Sequence, residues 1–506
     1  MRLLSKSKLI AFRQCAKRLW LEVHRPELRE DSAGTLASFQ VGHDVGAVAR
    51  TVYDPAGRGA TIDVTKEGYG PAFARSAALL ATSRAPVFEA GFQAGGALAF
   101  ADAMLPTGGQ GAAWRIVEVK SSTSVKGYHR DDVAVQTYIA RTAGVNVKSV
   151  AVAVIDSAWV YPGGGDYRGL FKEEDLTAEA FGRAGEVKAW IAEARDVVAQ
   201  ATELAIGIGE HCHTPFECGF CQYCSKDYPQ PEFPLDWLPG LTAKRRAQWA
   251  EQGVTDLSQV PDSDLNERQQ RVKQHSLAKT VDFDAAGAAA DLPPHKLPAL
   301  FLDFETIQLA VPIWKGTRPY QQVPFQFSLH TVPQTGRLSH QAFLDLSGSD
   351  PSEPFARALL AACGTNCPVF VYNAAFETSR IRELAERFPE LAGPLLDINA
   401  RVVDLLPIAR SRFYHPRQHG SWSIKAVLPG AVPELSYDNL TGVQDGAMAM
   451  EAYIEAIRHG DGAERKAEIE RQLLAYCRLD TLGLVRLWQY FNGHQEPALK
   501  DDFGRI

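Results

Sequence analysis

The sequence predicts a multidomain α/β protein, and three observations carry that prediction. A chain of 506 residues exceeds the roughly 250–300 residues at which a single hydrophobic core stops growing. Apolar runs of strand type alternate with helical periodicities in both halves. Two Pro-bearing stretches, "DYPQPEFPLDWLPG" and "DLPPHKLP", interrupt regular structure and mark linkers. The parts they delimit are 1–228, a short connector at 229–290, and 291–506.

Each part has its own pattern. Residues 1–228 hold a basic start, strand-like runs around 86–120, helical patterns near 131–143 and 178–205, and a cysteine cluster. The connector reads as short helices joined by Gly turns. It suits either a plain helical linker or a helix-hairpin-helix element, whose backbone amides at a helix N-terminus can hold a phosphate. In the last part strands and helices alternate as in an α/β fold.

Composition excludes several classes. Apolar residues at 45% and charged residues at 22% are ordinary for folded domains and argue against long disorder or a fibrous chain. The start "MRLLSKSKLIAFRQCAKRLW" lacks an apolar h-region, and no stretch stays apolar for the roughly 18 residues of a membrane span. A cytoplasmic protein without membrane contact is expected. The net charge of -7 decides little about nucleic acid, since an average hides local patches and counts carboxylates that bound metal would neutralise.

Cytoplasmic thiols stay reduced, so clustered cysteines are expected to be metal ligands rather than disulfides. "HCHTPFECGFCQYC" places Cys212, Cys218, Cys221 and Cys224 within residues 211–224. Zinc would be satisfied by these four, with His211 or His213 competing. Cys15, in "FRQCAKRLWLE", is either a small buried residue or the remote member of a thiolate set, and thiolates from two distant segments suit an iron–sulfur cluster. Cys363, Cys367 and Cys477 read as small buried residues.

Between the cysteine segments stands "WRIVEVKSSTSVKGYHRDDVAVQTYI". Alternate residues of a strand share a face, so Glu118 and Lys120 point the same way. Upstream, "GGALAFADAML" reads as a strand that brings Asp102 to its end, and Gln136 falls on an amphipathic helix. Phosphodiester hydrolysis needs a cation to stabilise developing charge and generate hydroxide, and Mg²⁺ or Mn²⁺ takes carboxylate oxygens. Asp102 and Glu118 would supply them, and Lys120 could orient water or offset charge.

The last part repeats the theme. "ALFLDFETIQLA" puts Asp303 and Glu305 on one face of a strand, and burying that pair without cations is costly. Further along come Glu377 in "PVFVYNAAFETSRI", Asp404 in "VVDLLP", and Tyr476 with Asp480, four apart on a helix, in "LLAYCRLDTLGLVRLW". The segment "RSRFYHPRQHGSWSIK" interleaves Arg, aromatic and His residues, a pattern that fits phosphate contacts with base stacking or an ordinary surface loop.

Taken in order, Asp102, Glu118-x-Lys120 and Gln136 inside a cysteine bracket resemble the iron–sulfur RecB-like PD-(D/E)xK nucleases, such as the CRISPR-associated exonucleases and the nuclease domain of AddB-type helicase–nucleases. That resemblance implies a PD-(D/E)xK core with an iron–sulfur clasp. A 4Fe-4S cluster would sit on Cys15, Cys212, Cys218 and Cys224, with Cys221 the surplus fifth, and His43, in "FQVGHDVG", would be a further metal ligand. Glu89, in "PVFEAGF", would lie near the same site. The chain departs from the usual Q-x-x-x-Y, since Tyr138 follows Gln136 by two residues. The acids of residues 291–506 resemble the tyrosine subtype of the DEDD exonucleases, in the ribonuclease H-like superfamily. By that resemblance Asp303, Glu305, Glu377 and Asp480 bind two metals and Tyr476 positions the attacking water, with Glu377 standing where the family has Asp and Asp404 as a spare candidate.

The expected function is metal-dependent, exonucleolytic hydrolysis of DNA at two distinct active sites, in DNA repair or mobile-element defence. The expected partner is nucleic acid, DNA ahead of RNA, with any helicase or defence-system protein unspecified. The competing readings are a nucleic-acid-binding scaffold with one or both sites inactive, and an RNA-processing nuclease.

Overall fold

The computed structural model describes residues 3–108, 113–226, 228, 231–293, 297–335, 337–437, 440–458 and 462–493. The chain is mixed α/β and divides into two compact units, Met1–Pro229 with Leu309–Gln321, and Gln230–Gln308 with Gln322–Ile506. Of the two expected linkers, residues 227, 229, 230 and 294–296 lie outside the described residues. The connector segment clusters with the second unit, where Leu235, Leu238, Trp249, Leu257, Val260 and Leu265 form a small core of their own.

The first unit is built on a seven-stranded sheet. Its strands are β1 (Leu4–Ser5), β2 (Ala60–Thr61), β3 (Val87–Ala94), β4 (Ala97–Pro106), β5 (Trp114–Lys120), β6 (Val147–Ile155) and β7 (Phe171–Asp175). The order is β2-β3-β4-β5-β6-β7, with β1 paired to β4. Strand β4 shows why: Ala97, Ala99, Ala101 and Ala103 are buried at a period of two, while Leu98, Phe100 and Asp102 between them are half-buried. Neighbours β3, β4 and β5 are antiparallel, but β5 and β6 run parallel, and a parallel pair needs a crossover. The helix Gly127–Thr142 supplies it. The segment Leu309–Gln321 is held within this unit by hydrogen bonds between Tyr161 and residues Gly316 and Thr317, and by the Tyr320 hydroxyl on the Ser121 carbonyl.

The second unit contains β8 (Asp282–Phe283), β9 (Ala299–Gln308), β10 (Gln322–Val332), β11 (Ser339–Leu344), β12 (Val369–Val371), β13 (Val402–Asp404) and β14 (Phe413–Tyr414). Five of them form a sheet in the order β11-β10-β9-β12-β13. Strands β9, β10 and β11 are antiparallel, and β9, β12 and β13 parallel. The central strand β9 is apolar on both sides: Ala299 and Phe301 join one core, Leu300, Leu302 and Phe304 another. Asp303 and Glu305 continue the first of these faces by alternation. The 29-residue helix Ala463–Phe491 packs there, and Gln326 donates to its Leu473 carbonyl at 2.8 Å.

The pair β8–β14 decides the fate of the Arg-aromatic segment. Phe413 and Tyr414 are fully buried and Trp422 nearly so, with the Trp422 indole N–H on the Phe413 carbonyl at 2.9 Å. These rings are core and cannot stack on bases. No helix among the described residues is long and apolar enough to cross a membrane.

Candidate functional site

In the first unit the helix Gly127–Thr142 presents His129, Asp132 and Gln136, all buried, on one face by i, i+3 and i+7 spacing. Strand β5 brings Glu118 and Lys120, and β4 brings Asp102 from mid-strand rather than from the strand's end. Glu118 is 2% exposed. Its Oε1 accepts from Lys120 Nζ at 2.8 Å and from Lys6 Nζ at 2.7 Å. Lys6 also donates to Gln136 Oε1 at 2.8 Å and stands 3.3 Å from Asp132 Oδ1; Lys120 pairs with the other Asp132 oxygen. Asp102 accepts the Val119 backbone N–H at 2.7 Å.

Three carboxylates and two ammonium groups therefore share one buried cluster. Burial and the nearby Asp102 charge push Glu118 up to about 7, against the pull of both lysines. Burial also raises Asp102. Asp132 differs: burial opposes its charge, but Lys120 and Lys6 overcome that and hold it below the ordinary carboxylate range. In this cluster two buried polar atoms have no protein partner among the described residues, Glu118 Oε2 and Gln136 Nε2. Each belongs to a side chain whose other polar atom is taken by Lys6.

Glu89 stands beside this group. Its φ of +55° is a left-handed conformation costing about 1–2 kcal/mol for a non-glycine residue, and it interrupts the β3–β4 register opposite Asp102. Burial, then the Glu118 charge, raises its pKa. His43 is not brought into the group: it is exposed on the helix Ala33–Tyr53. Tyr138 faces Gly95 instead.

The cysteine segment folds against the same unit's N-terminus. Cys15, Cys212, Cys218, Cys221 and Cys224 line one cavity with Lys17 and Arg18, and all five are free thiols. Gln14 ties the two segments together by donating to the carbonyls of His211 and Phe216 at 2.7 Å each. The loop winds on itself through Cys218 N–H on Cys212 O at 2.8 Å and Cys221 N–H on Cys218 O at 3.0 Å. Burial pushes Cys224 up to about 11, and burial with the neighbouring Cys212 pushes Cys221 up to about 12.

In the second unit β9 brings Asp303 and Glu305, the helix Ala375–Arg387 brings Glu377, and the helix Ala463–Phe491 brings Tyr476, Cys477 and Asp480. Ligand atoms of Asp303, Glu305 and Cys477 lie within 4.8 Å of one another. Glu377 is 1% exposed and its Oε2 has no partner among the described residues. Burial raises Asp303, Glu305 and Glu377 well above the carboxylate range, and mutual repulsion adds to it: Asp480 acts on Asp303, Asp303 and Asp480 on Glu305, and Asp303 on Glu377. Asp480 is pushed up to about 6 by burial, restrained by the Tyr437 hydroxyl at 2.5 Å, by Lys425 and by Tyr476. Lys425 lies over the Tyr476 ring, 4.8 Å from its centroid. Asp404 stands apart, its oxygens taken by the backbone N–H groups of Asn373, Ala374 and Leu406 at 2.9–3.0 Å.

Five residues of these groups escape the sequence reading. Asp132 carried a usable signal, being one turn before Gln136 on the same helical face. Lys6 left no signal in the basic start and reaches the cluster because β1, paired to β4, leads directly into the helix Lys6–Gln14. Tyr437, Lys425 and the contact of Cys477 with Asp303 at 3.7 Å arise from long-range packing and left no local pattern.

Residues 300–423 match a family described as a domain of unknown function, DUF2779. No curated protein matches the chain. A solved structure described as "Crystal structure of SSO0001" aligns at 13% identity over 40% of this chain and 78% of its own, with a TM-score of 0.23.

Proposed function

We propose that the chain is a metal-dependent nuclease with two active sites, acting on DNA. The observation that supports this best is shared by both units: buried carboxylates from separate segments converge, and one of them in each unit, Glu118 and Glu377, keeps a buried oxygen that no group among the described residues satisfies. Buried charges are ordinarily paired or bound to metal. The donor sets fit hard divalent cations. Asp102 and Glu118 would hold Mg²⁺ or Mn²⁺ in the first unit, and Asp303, Glu305, Glu377 and Asp480 in the second. Such ions, when bound, stabilise phosphoryl charge and acidify water.

The chain's own groups complete the assignment. Lys120, fixed between Glu118 and Asp132, offsets negative charge at the scissile phosphate. Tyr476, set beside Asp480 under Lys425, positions the attacking water. The five thiols around one cavity fit a 4Fe-4S cluster held by Cys15, Cys212, Cys218 and Cys224, which would clasp the N-terminal helices to the end of the domain. A RecB-like fold for the first unit and a ribonuclease H-like fold for the second accord with this reading.

The test begins with protein purified without oxygen, its iron content and its visible absorption. End-labelled DNA and RNA are then supplied with Mg²⁺ or Mn²⁺. Glu118→Ala and Asp303→Ala should each remove one activity and spare the other. If neither alters the products, the two-site assignment is wrong.

A further inference from the structure

A second cavity in the first unit, about 510 Å³ in volume, is lined by Ser5, Lys8, Tyr69, Phe73, Gln93 and Leu98 among others. That volume lies within the roughly 300–1,000 Å³ of small-ligand sites. We propose that it is a subsite for one unstacked nucleotide of a single strand on its way to the Asp102–Glu118 site, an inference that rests on the nuclease reading of that site.

Three features select this ligand. Tyr69 is 59% exposed, and Phe73 behind it is braced by stacking on Phe100, with ring centroids 5.5 Å apart and 22° between planes. An exposed aromatic on a rigid support is a platform for a base, and every base has a π-face to lay on it. Among the described residues Lys8 has no carboxylate partner, unlike Lys6 and Lys120, so its ammonium is available to a phosphate. Gln93 is exposed, has no side-chain hydrogen bond among the described residues, and offers donors and an acceptor to a base edge.

Continuity with the acid cluster fixes the direction. Ser5 lines the cavity and the next residue, Lys6, bonds Glu118. Strand β4 contributes Leu98 to the cavity and Asp102 to the cluster, four residues apart on one face, or about 13 Å. Strand β3 does the same with Gln93 and Glu89. Bases stacked within a duplex offer no free face to the Tyr69 ring, whereas an unpaired base does.

The test uses the full chain carrying Asp303→Ala, in which any remaining cleavage belongs to the first unit. The probe is fluorescein-labelled oligothymidylate, bound in EDTA and cleaved with Mn²⁺. Tyr69→Ala should weaken binding and raise KM by about tenfold, and Tyr69→Phe, which keeps the ring, should restore both. Lys8→Ala should weaken binding and flatten the salt dependence by about 0.7 in log–log slope, a change that a purely structural role would not produce. If the Asp303→Ala protein binds and cleaves the strand while Tyr69→Ala and Lys8→Ala leave affinity and slope unchanged, the subsite is refuted and the nuclease reading stands. If the wild-type protein binds no nucleic acid at all, the nuclease reading fails and the subsite with it.

Discussion

Asp480→Asn should stabilise the metal-free protein at neutral pH, although it removes a residue assigned to metal binding. Asp480 is 5% exposed, and its carboxyl is raised from 3.8 to about 6, chiefly by burial. Tenfold in a protonation equilibrium is about 1.4 kcal/mol, so the rise corresponds to about 3 kcal/mol. The sign follows from linkage. With the folded pKa above the unfolded one, the favourable contribution is complete below about pH 4 and is lost as pH rises through about 6. Asparagine cannot ionise and keeps the Tyr437 hydroxyl as a donor, so it escapes that loss. At about pH 7.5 in EDTA the variant should melt about 6–12 °C higher, at about 2–4 °C per kcal/mol for a unit of this size, and the gain should vanish near pH 4. Saturating Mn²⁺ should reverse the order, because only the wild-type site gains binding energy. Differential scanning calorimetry across pH measures all of this. A variant no more stable than wild type at neutral pH, or a difference indifferent to pH, would refute the reasoning.

Other outcomes follow from single contacts. Lys6→Met removes a cation from Glu118 and Asp132 and should cost the metal-free protein about 3–5 kcal/mol in urea denaturation, while tightening Mn²⁺ at the first site by at least about tenfold in equilibrium titration, because the ammonium and the metal compete for one carboxylate. Cys15→Ser should abolish bound iron in protein purified without oxygen, whereas Cys221→Ser should retain it; equal iron in both would overturn the assignment of ligands. Gly420→Ala should destabilise the second unit by at least about 3 kcal/mol in urea, since the backbone there has φ +72° and an added Cβ would meet the Trp237 carbonyl oxygen at 1.7 Å.

What was legible in the sequence depended on how local the cause was. Glu118 and Lys120 could be placed on one strand face because alternation is a two-residue rule, and Asp303 with Glu305 for the same reason. Gln136 followed from helical periodicity. The aromatic run at 413–422 misled because its two-residue strand pairs with Asp282–Phe283, more than a hundred residues away, and nothing in the local pattern announces that burial. Lys6 was not singled out, since nothing sets it apart within the basic start, yet its half-buried ammonium lies against Glu118 because β1 pairs with β4 and feeds directly into a helix. Cys477 was legible as buried but not as a neighbour of Asp303, since only the packing of the last helix on β9 makes that contact.

On the proposed assignment, carboxylates drawn from distant segments grip divalent cations at two separate places. Counting bound Mn²⁺ by electron paramagnetic resonance in the wild type, in Glu118→Ala, in Asp303→Ala and in the double variant tests it without reference to any substrate. Each single variant should lose a different class of bound ion, and the double variant both. Undiminished Mn²⁺ binding in the double variant would contradict it.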